Sequence, residues 1–167
     1  NKIKELKTKI RGRAREIPEK IAELGLIPTL TFCLAKSEKE NLRKAVVLME
    51  AGIEGLKNIK VIKKEGGEKQ TFDISSDKFA YALYIYILLK YLGTHLGTIK
   101  LKSNNQEEEI KLDLTELIGN YEQAVDTIYK YLIALAQGTL SLIVYKFIQS
   151  YLIQFKRLCE MEFPAER

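Results

Sequence analysis

The sequence has little of the chemistry that most enzymes use. Its 167 residues include one histidine, two cysteines and no tryptophan. A single histidine cannot form the histidine cluster of a typical catalytic metal site. Gly66-Gly67 lacks the Lys-Ser/Thr pair of a phosphate-binding loop. We therefore predict a protein that binds rather than catalyses, with no metal and no cofactor.

The sequence also lacks a disulfide framework and a long apolar run. Cys33 and Cys159 lie in apolar, helix-like surroundings, which is not a disulfide pattern. The most apolar stretch, 131–155, is interrupted by polar residues before it reaches the roughly 18 residues of a membrane span. We expect a reduced, cytoplasmic compartment and no membrane partner. Because the chain begins at Asn1 without Met, we also expect its true N-terminus to lie upstream.

Excess charge is missing from most of the chain and concentrated at one end. The formal net charge is +5; residues 1–20 carry eight basic and three acidic side chains, and the rest carries 19 of each. Such a segment indicates that the partner is a polyanion or an acidic protein surface. The alternative is that the protein is thermophile-like and that these charges only solvate its helices. The candidate contacts are Lys9, Arg11, Arg13, Arg15 and Lys20, with a second group at Lys36, Lys39, Arg43 and Lys44.

The first third of the chain predicts helices. Apolar residues at steps of three and four from Ile3 to Leu24 form one stripe, which the basic residues border on both sides. Pro18 predicts two helices that meet near Ile17. A further helix follows over 26–36. Ser37 and Glu40 match a capping box that opens the next helix, which we predict from 38 to about 56, with its second half weakened by Gly52 and Gly55.

The rest of the chain mixes helices with short strands. Alternating patterns over 58–75 and 98–113 predict two β-hairpins, the second with a turn at Ser103-Asn104-Asn105. Between them we predict a largely buried helix over 77–92, capped by Ser75 or Ser76. Residues 114–161 predict two long helices split near Gly138, with Thr115 as a possible N-cap. The expected fold is mainly α: a compact helical bundle with one or two small inserted β-hairpins, in a single domain over 1–167.

Three other groups of residues invite functional interpretations. Most tyrosines lie among aliphatic residues at helical spacing, which favours core or interface packing over RNA stacking. Glu107, Glu108 and Glu109 are expected to be solvated at the tip of the second hairpin. His95 is expected in a loop between Gly93 and Gly97. A small hydrolase built on His95 with Cys33 or a serine is a weaker alternative.

The segment 9–37 resembles the small helical subunit of type III CRISPR RNA-guided effector complexes, in particular the Cmr type. The matching pattern is a basic helix that ends in Ile17-Pro18, followed by Gly25-Leu26, Thr29-Leu30, Phe32 and Lys36-Ser37. It covers about a sixth of the chain. The resemblance implies an all-helical bundle without a catalytic role, in which Gly25, Leu26 and Phe32 are structural positions. The predicted hairpins depart from a purely helical member.

The resemblance also implies partners. They are the guide RNA and target RNA, other subunits of the CRISPR effector complex, and neighbouring copies of the chain itself. The basic positions in or beside the motif, which would face the guide and target duplex, are Lys9, Arg11, Arg13, Arg15, Lys20 and Lys36. The alternative is a helical scaffold or adaptor whose basic segment docks an acidic protein.

Overall fold

The described part of the chain folds as a bundle of helices with one small hairpin, in agreement with the predicted mainly α fold. The structure is a computed structural model and describes residues 2–58, 74–137, 140–163 and 165, apart from the side chains of 53–58 and 141. Its elements in chain order are α1 (Lys2–Leu24), α2 (Leu26–Ser37), α3 (Lys39–Asn58), α4 (Asp77–Leu96), β1 (Ile99–Ser103), β2 (Gln106–Ile110), α5 (Glu116–Gly119), α6 (Tyr121–Ala136) and α7 (Leu140–Glu162).

Helix α4 forms the centre of the bundle. Every residue from Phe79 to Tyr86 is buried, and α1, α2 and α3 all pack against this helix. A helix that is apolar on all sides can only be stable when other elements surround it. Ser76 caps α4 by accepting a hydrogen bond from the Phe79 backbone amide at 3.1 Å. The predicted buried helix and its cap are therefore confirmed.

The N-terminal stripe belongs to one helix, so the prediction of two helices meeting near Ile17 was wrong. Pro18 lies inside α1, with the buried residues Ala14, Ile17 and Ile21 on both sides of it. Proline inside a helix costs about 3 kcal/mol. Burial of two isoleucine side chains contributes roughly 3–6 kcal/mol. Continuous packing of the stripe therefore outweighs the break.

Three further local predictions were wrong because tertiary packing extends or shifts the helices. Ser37 does not open α3; it is the buried last residue of α2 and donates a hydrogen bond to the Cys33 carbonyl at 2.6 Å. His95 lies in the last turn of α4 and not in a loop. Thr115 precedes the short α5, while Asn120 caps α6 by accepting from the Gln123 amide at 3.4 Å.

The remaining boundaries agree with the sequence patterns. Gly52 interrupts α3 with a φ of 67°, which supports its predicted weakening of that helix. Helix α6 ends at Ala136 and α7 begins at Leu140, on either side of the predicted split. The predicted hairpin over 58–75 falls on 59–73, which lies outside the described residues.

The hairpin over 98–113 is confirmed and packs on α6. Its register pairs Ile99 with Ile110 and Ser103 with Gln106, which leaves Asn104 and Asn105 as a two-residue turn. Both asparagines have positive φ, as a type I′ turn requires. The three glutamates 107–109 lie in β2 rather than at the tip. Glu107 and Glu108 pair with Lys100 and Lys130, at 3.1 and 3.2 Å respectively.

Candidate nucleic-acid interface

Helix α1 carries basic residues on both borders of its buried stripe. Its core-facing residues are fixed between α4 and α7, so the two borders face different neighbours. Lys9, Arg13 and Lys20 lie on the border towards α4 and α2. Arg11 and Arg15 lie on the opposite border, towards α7. The stripe that buries α1 therefore divides the predicted basic segment into two surfaces.

Arg13 is largely enclosed by its neighbours. Its guanidinium pairs with Glu16, donates to the Tyr81 hydroxyl at 2.5 Å and lies 4.5 Å from the Tyr81 ring centroid. Its side chain is 19% exposed. Asp77, at the start of α4, lies 3.9 Å from Arg13 and 3.8 Å from Lys9. Arg13 thus joins α1 to α4, a structural role that the charge pattern alone did not reveal.

Lys20 and Lys36 both place their ammonium groups over one aromatic ring. The Lys20 ammonium lies 5.0 Å from the centroid of Phe32, and the Lys36 ammonium lies 5.7 Å from it. The ring of Phe32 meets Tyr81 edge to face at 5.9 Å. Phe32, Lys36 and Tyr81 line an open groove of about 680 Å³, here called the Phe32 groove. Its lining residues are Arg13, Phe32, Ala35, Lys36, Glu38, Asp77, Lys78 and Tyr81.

Arg11 and Arg15 fasten the other border of α1 to the end of α7. Arg11 donates to the Phe163 carbonyl at 2.6 Å, and the Arg15 Nε atom donates to Glu160 at 2.7 Å. Arg15 remains 55% exposed. The pKa of Glu160 is held below its ordinary value mainly by this hydrogen bond from Arg15. Arg15 therefore keeps a surface position from which a phosphate is within reach.

Apart from Lys36, which belongs to α2, the second predicted group lies on α3, where Lys39 faces α6 and Arg43 faces α5. Lys39 pairs with Glu122 at 3.1 Å and lies 4.7 Å from the Tyr121 ring centroid. Arg43 donates to the Ile118 carbonyl at 2.9 Å. Lys44 is a half-buried neighbour of Arg43 on the same helix. Lys39 and Arg43 are thus held by α5 and α6, which do not contribute to the Phe32 groove.

The structure brings together some predicted site residues and separates others. Arg13, Lys20 and Lys36 gather around Phe32 and Tyr81, whereas Arg11, Arg15, Lys39 and Arg43 contact other elements. Sequence analysis missed Tyr81 and Lys78 as parts of the groove, and it treated Phe32 as structural only. The spacing of Phe32 and Lys36, four residues apart in a helix, was the one local signal available.

A catalytic pair of Cys33 and His95 is not assembled. Cys33 is fully buried beside Tyr81 and Tyr84, and burial raises the pKa of its thiol to about 12. His95 lies eleven residues beyond Tyr84 on α4, roughly 16 Å along the helix axis. Its Nδ1 atom is 2.9 Å from the Tyr91 carbonyl. This geometry argues against the hydrolase alternative built on Cys33.

Two further searches cover only the described part of the chain. Within it, no group of three or more His, Cys, Asp or Glu side chains is placed to hold a metal ion. Across the same ranges, no helix is long and apolar enough to cross a membrane.

Fold and surface together define a class: a small, mainly helical bundle whose first helix carries basic residues on two borders. Over 159 residues the chain is 27% identical to the CRISPR system CMR subunit Cmr5 of Saccharolobus solfataricus (strain P2). The aligned region covers 94% of this chain and 80% of the relative. The similarity thus extends well beyond 9–37 and supports a relation to a Cmr-type CRISPR subunit. No family model matches the chain, and no solved structure does.

Proposed function

We propose that this chain is a small, non-catalytic subunit of a Cmr-type, type III CRISPR effector complex. In this proposal it contacts the backbone of the guide and target RNA through basic side chains and packs against other subunits, including copies of itself. The observation that carries the proposal is the similarity to a CMR subunit across 94% of the chain. The concentration of all net charge in residues 1–20 supports it.

The proposed RNA contacts use charge rather than base identity. Each cation that neutralises a phosphate releases condensed counterions and so gains affinity without reading sequence. The contact residues remain those named from the sequence: Lys9, Arg11, Arg13, Arg15, Lys20, Lys36, Lys39, Arg43 and Lys44. Among them Arg15, Lys36 and Lys39 have exposed side chains, so a phosphate can reach them without disturbing the core.

A salt titration tests the contacts. The triple variant Arg15→Ala, Lys36→Ala and Lys39→Ala avoids Arg13, whose loss would also weaken the fold. For RNA binding, we expect the slope of log affinity against log salt to become shallower by about 0.7 to 0.9 for each lost phosphate contact. A variant with Lys90→Ala, Lys102→Ala and Lys146→Ala removes the same charge elsewhere. Equal slopes for the two variants would contradict the assignment.

A pull-down tests membership of the complex. When the tagged chain is recovered from the native cell, we expect guide RNA and the other subunits of the effector complex in the eluate. Their absence would refute the proposal. The result does not depend on the affinity of the isolated chain, because contacts within an assembly benefit from a high effective concentration.

A second candidate function is a helical adaptor that docks an acidic protein. Two observations favour it. Lys9, Arg13, Arg15, Lys20 and Lys39 are already paired with carboxylates, which reduces the charge they offer to RNA. Large apolar side chains are also exposed on α6 and α7, as at protein contact surfaces. In the pull-down, a protein partner that survives nuclease treatment, without guide RNA, would favour this function.

A further inference from the structure

We propose that the Phe32 groove binds one unpaired nucleotide of single-stranded RNA. The base would lie on the ring of Phe32, and the adjoining phosphate between the ammonium groups of Lys20 and Lys36. This inference rests on the proposed function insofar as it takes RNA as the ligand. It goes further by naming a site at which the chain distinguishes an unpaired nucleotide from a duplex.

The first support is the arrangement of charge around an accessible ring. Phe32 is half-buried on α2, and both lysine ammonium groups lie within 6 Å of its centroid, at 5.0 and 5.7 Å. Tyr81 meets Phe32 at an interplanar angle of 84° and holds it from the side. Proteins that bind single strands combine such cations with an aromatic platform, because every base has a face that can stack.

The lysines do not block the ring. A lysine side chain is long and flexible, and its ammonium is a strongly hydrated point charge. Stacking of a base on an aromatic side chain is roughly two to three times stronger than an exposed cation–π contact. One stacked base thus about offsets the two cation–π contacts that it displaces, and the gain comes from the phosphate at the edge of the ring, with which both ammonium groups then pair.

The groove has a suitable volume and an uneven distribution of charge. Its volume of about 680 Å³ lies within the range of roughly 300–1,000 Å³ that is typical of small-molecule sites. The end towards α4 holds Asp77 and the pair of Glu38 with Lys78, whose atoms are 2.5 Å apart. Because those carboxylates repel a phosphate, the phosphate position falls beside Lys36, which lines the groove, and Lys20, whose ammonium lies over the same ring. Lys20 would exchange its pairing with Glu16, at 3.4 Å, for the phosphate.

A base that is paired cannot use this site. Inside a duplex both faces of a base are covered by its neighbours, so stacking on a protein ring requires an unpaired or end nucleotide. Contacts to a duplex backbone through the other basic residues leave the groove empty. A contribution of Phe32 to RNA affinity would therefore indicate binding of an unpaired nucleotide, because electrostatic attraction to a duplex backbone does not involve this ring.

The test uses the full chain and a short oligouridylate RNA with one 2-aminopurine, whose fluorescence reports stacking. We expect binding to change the fluorescence of the single strand and not that of the same strand paired with its complement. Phe32→Leu should weaken single-strand binding by about five- to a hundredfold, whereas Phe32→Tyr should retain it. Phe147→Leu, which removes an exposed ring on α7, is the matched control and should have no effect.

Several results would overturn the site. They are a wild-type chain that leaves the probe unchanged, an equal response to the duplex, or a Phe32→Leu variant that folds and binds like the wild type. Equal competition by polyglutamate of the same charge would show a plain anion surface and overturn it too. If Phe32→Leu does not fold, the wild-type fluorescence alone decides. A negative result here combined with guide RNA in the pull-down refutes the groove and leaves the proposed function standing.

Discussion

Three arginines two residues apart on α1 have different roles. Arg13 is enclosed by Glu16, Asp77 and Tyr81, whereas Arg15 reaches the single carboxylate of Glu160 at the surface. Arg11 contacts a backbone carbonyl at the end of α7. The same residue type at the same spacing therefore supports the fold at one position and offers charge to a partner at another.

We expect Arg13→Ala to destabilise the protein much more than Arg15→Ala does. The Arg13→Ala variant lacks the charged hydrogen bonds of Arg13 and its cation–π contact with Tyr81, all in a partly buried setting. Together these interactions contribute about 2 kcal/mol. Arg15 loses an exposed ion pair, which contributes less than about 1 kcal/mol. Urea denaturation measures both. Equal losses would contradict the structural role of Arg13.

Buried ionisable groups make the stability depend on alkaline pH. Burial raises the pKa of Cys33 from its ordinary 9.0 to about 12, and it also raises the pKa values of Cys159, to about 11, and Tyr131, to about 12. Below pH 9 the Cys33 thiol is protonated in the folded and the unfolded chain. Above pH 9 the unfolded chain releases a proton that the folded chain retains.

We therefore expect the free energy of unfolding to fall as pH rises from about 9 to about 12. For Cys33 alone the slope is on the order of 1.4 kcal/mol per pH unit. Urea denaturation at several pH values in this window measures it. Cys33→Ala should make the slope shallower by that amount. An unchanged slope in this variant would show that Cys33 is more accessible than the structure has it.

The hairpin is an element whose partners protect it on two sides. The side-chain amide of Gln137 accepts from the Lys102 backbone amide at 3.0 Å and donates to the Lys102 carbonyl at 2.9 Å. It thereby pairs the outer edge of β1 in the manner of a neighbouring strand. Ile99 and Ile110 are buried, and the hairpin packs on α6.

We expect Asn105→Ala to open the hairpin more often, because Asn105 has a φ of 67°. Asparagine tolerates this left-handed region because its short polar side chain can hydrogen-bond locally, whereas alanine costs about 1 kcal/mol there and glycine has no such cost. Hydrogen exchange of the β1 and β2 amides should therefore speed up roughly fivefold in Asn105→Ala, and it should not speed up in Asn105→Gly. Ser103→Ala, at the end of β1, is the control. Equal exchange rates in all three variants would contradict the turn geometry.

At the scale of the molecule, the outer surfaces of α6 and α7 are unusually apolar. Ile133 is 53% exposed on α6, and Ile143 is 63% exposed on α7. Leu142 and Phe147 are also exposed on α7. Surfaces with such side chains are typical of proteins that contact other proteins. They agree with either proposed function, since both place the chain against protein partners.

We expect the double variant Ile133→Glu and Ile143→Glu to reduce self-association of the purified chain. Both side chains are exposed, so the free energy of unfolding should change by less than about 0.5 kcal/mol for each. Sedimentation velocity over a range of concentrations measures the association. Leu24→Glu, which changes an exposed leucine on α1, is the control. Equal association of the wild type and the double variant would contradict an interface at these residues.

Local patterns were sufficient for most of the architecture. The buried α4, the Ser76 cap, the second hairpin and the end of α6 follow from hydrophobic period, capping and turn chemistry, all of which act over a few residues. Pro18 was misjudged because its local cost is real, yet burial on both sides of it exceeds that cost. The position of the net charge also follows from the chain alone.

Only the tertiary structure decided what each cation does. Arg13 meets Tyr81 across 68 positions of the chain, and Arg11 meets Phe163 across 152. Lys20 and Lys36 reach the same ring only because α1 and α2 pack together. Ion pairs and cation–π contacts depend on distance in space, which residue spacing in a charged segment does not encode. Charge alone therefore indicated that the N-terminal segment faces a partner. Packing divided its basic residues between the Phe32 groove, the structural contact of Arg13 with Tyr81, and the exposed border of α1 that carries Arg15.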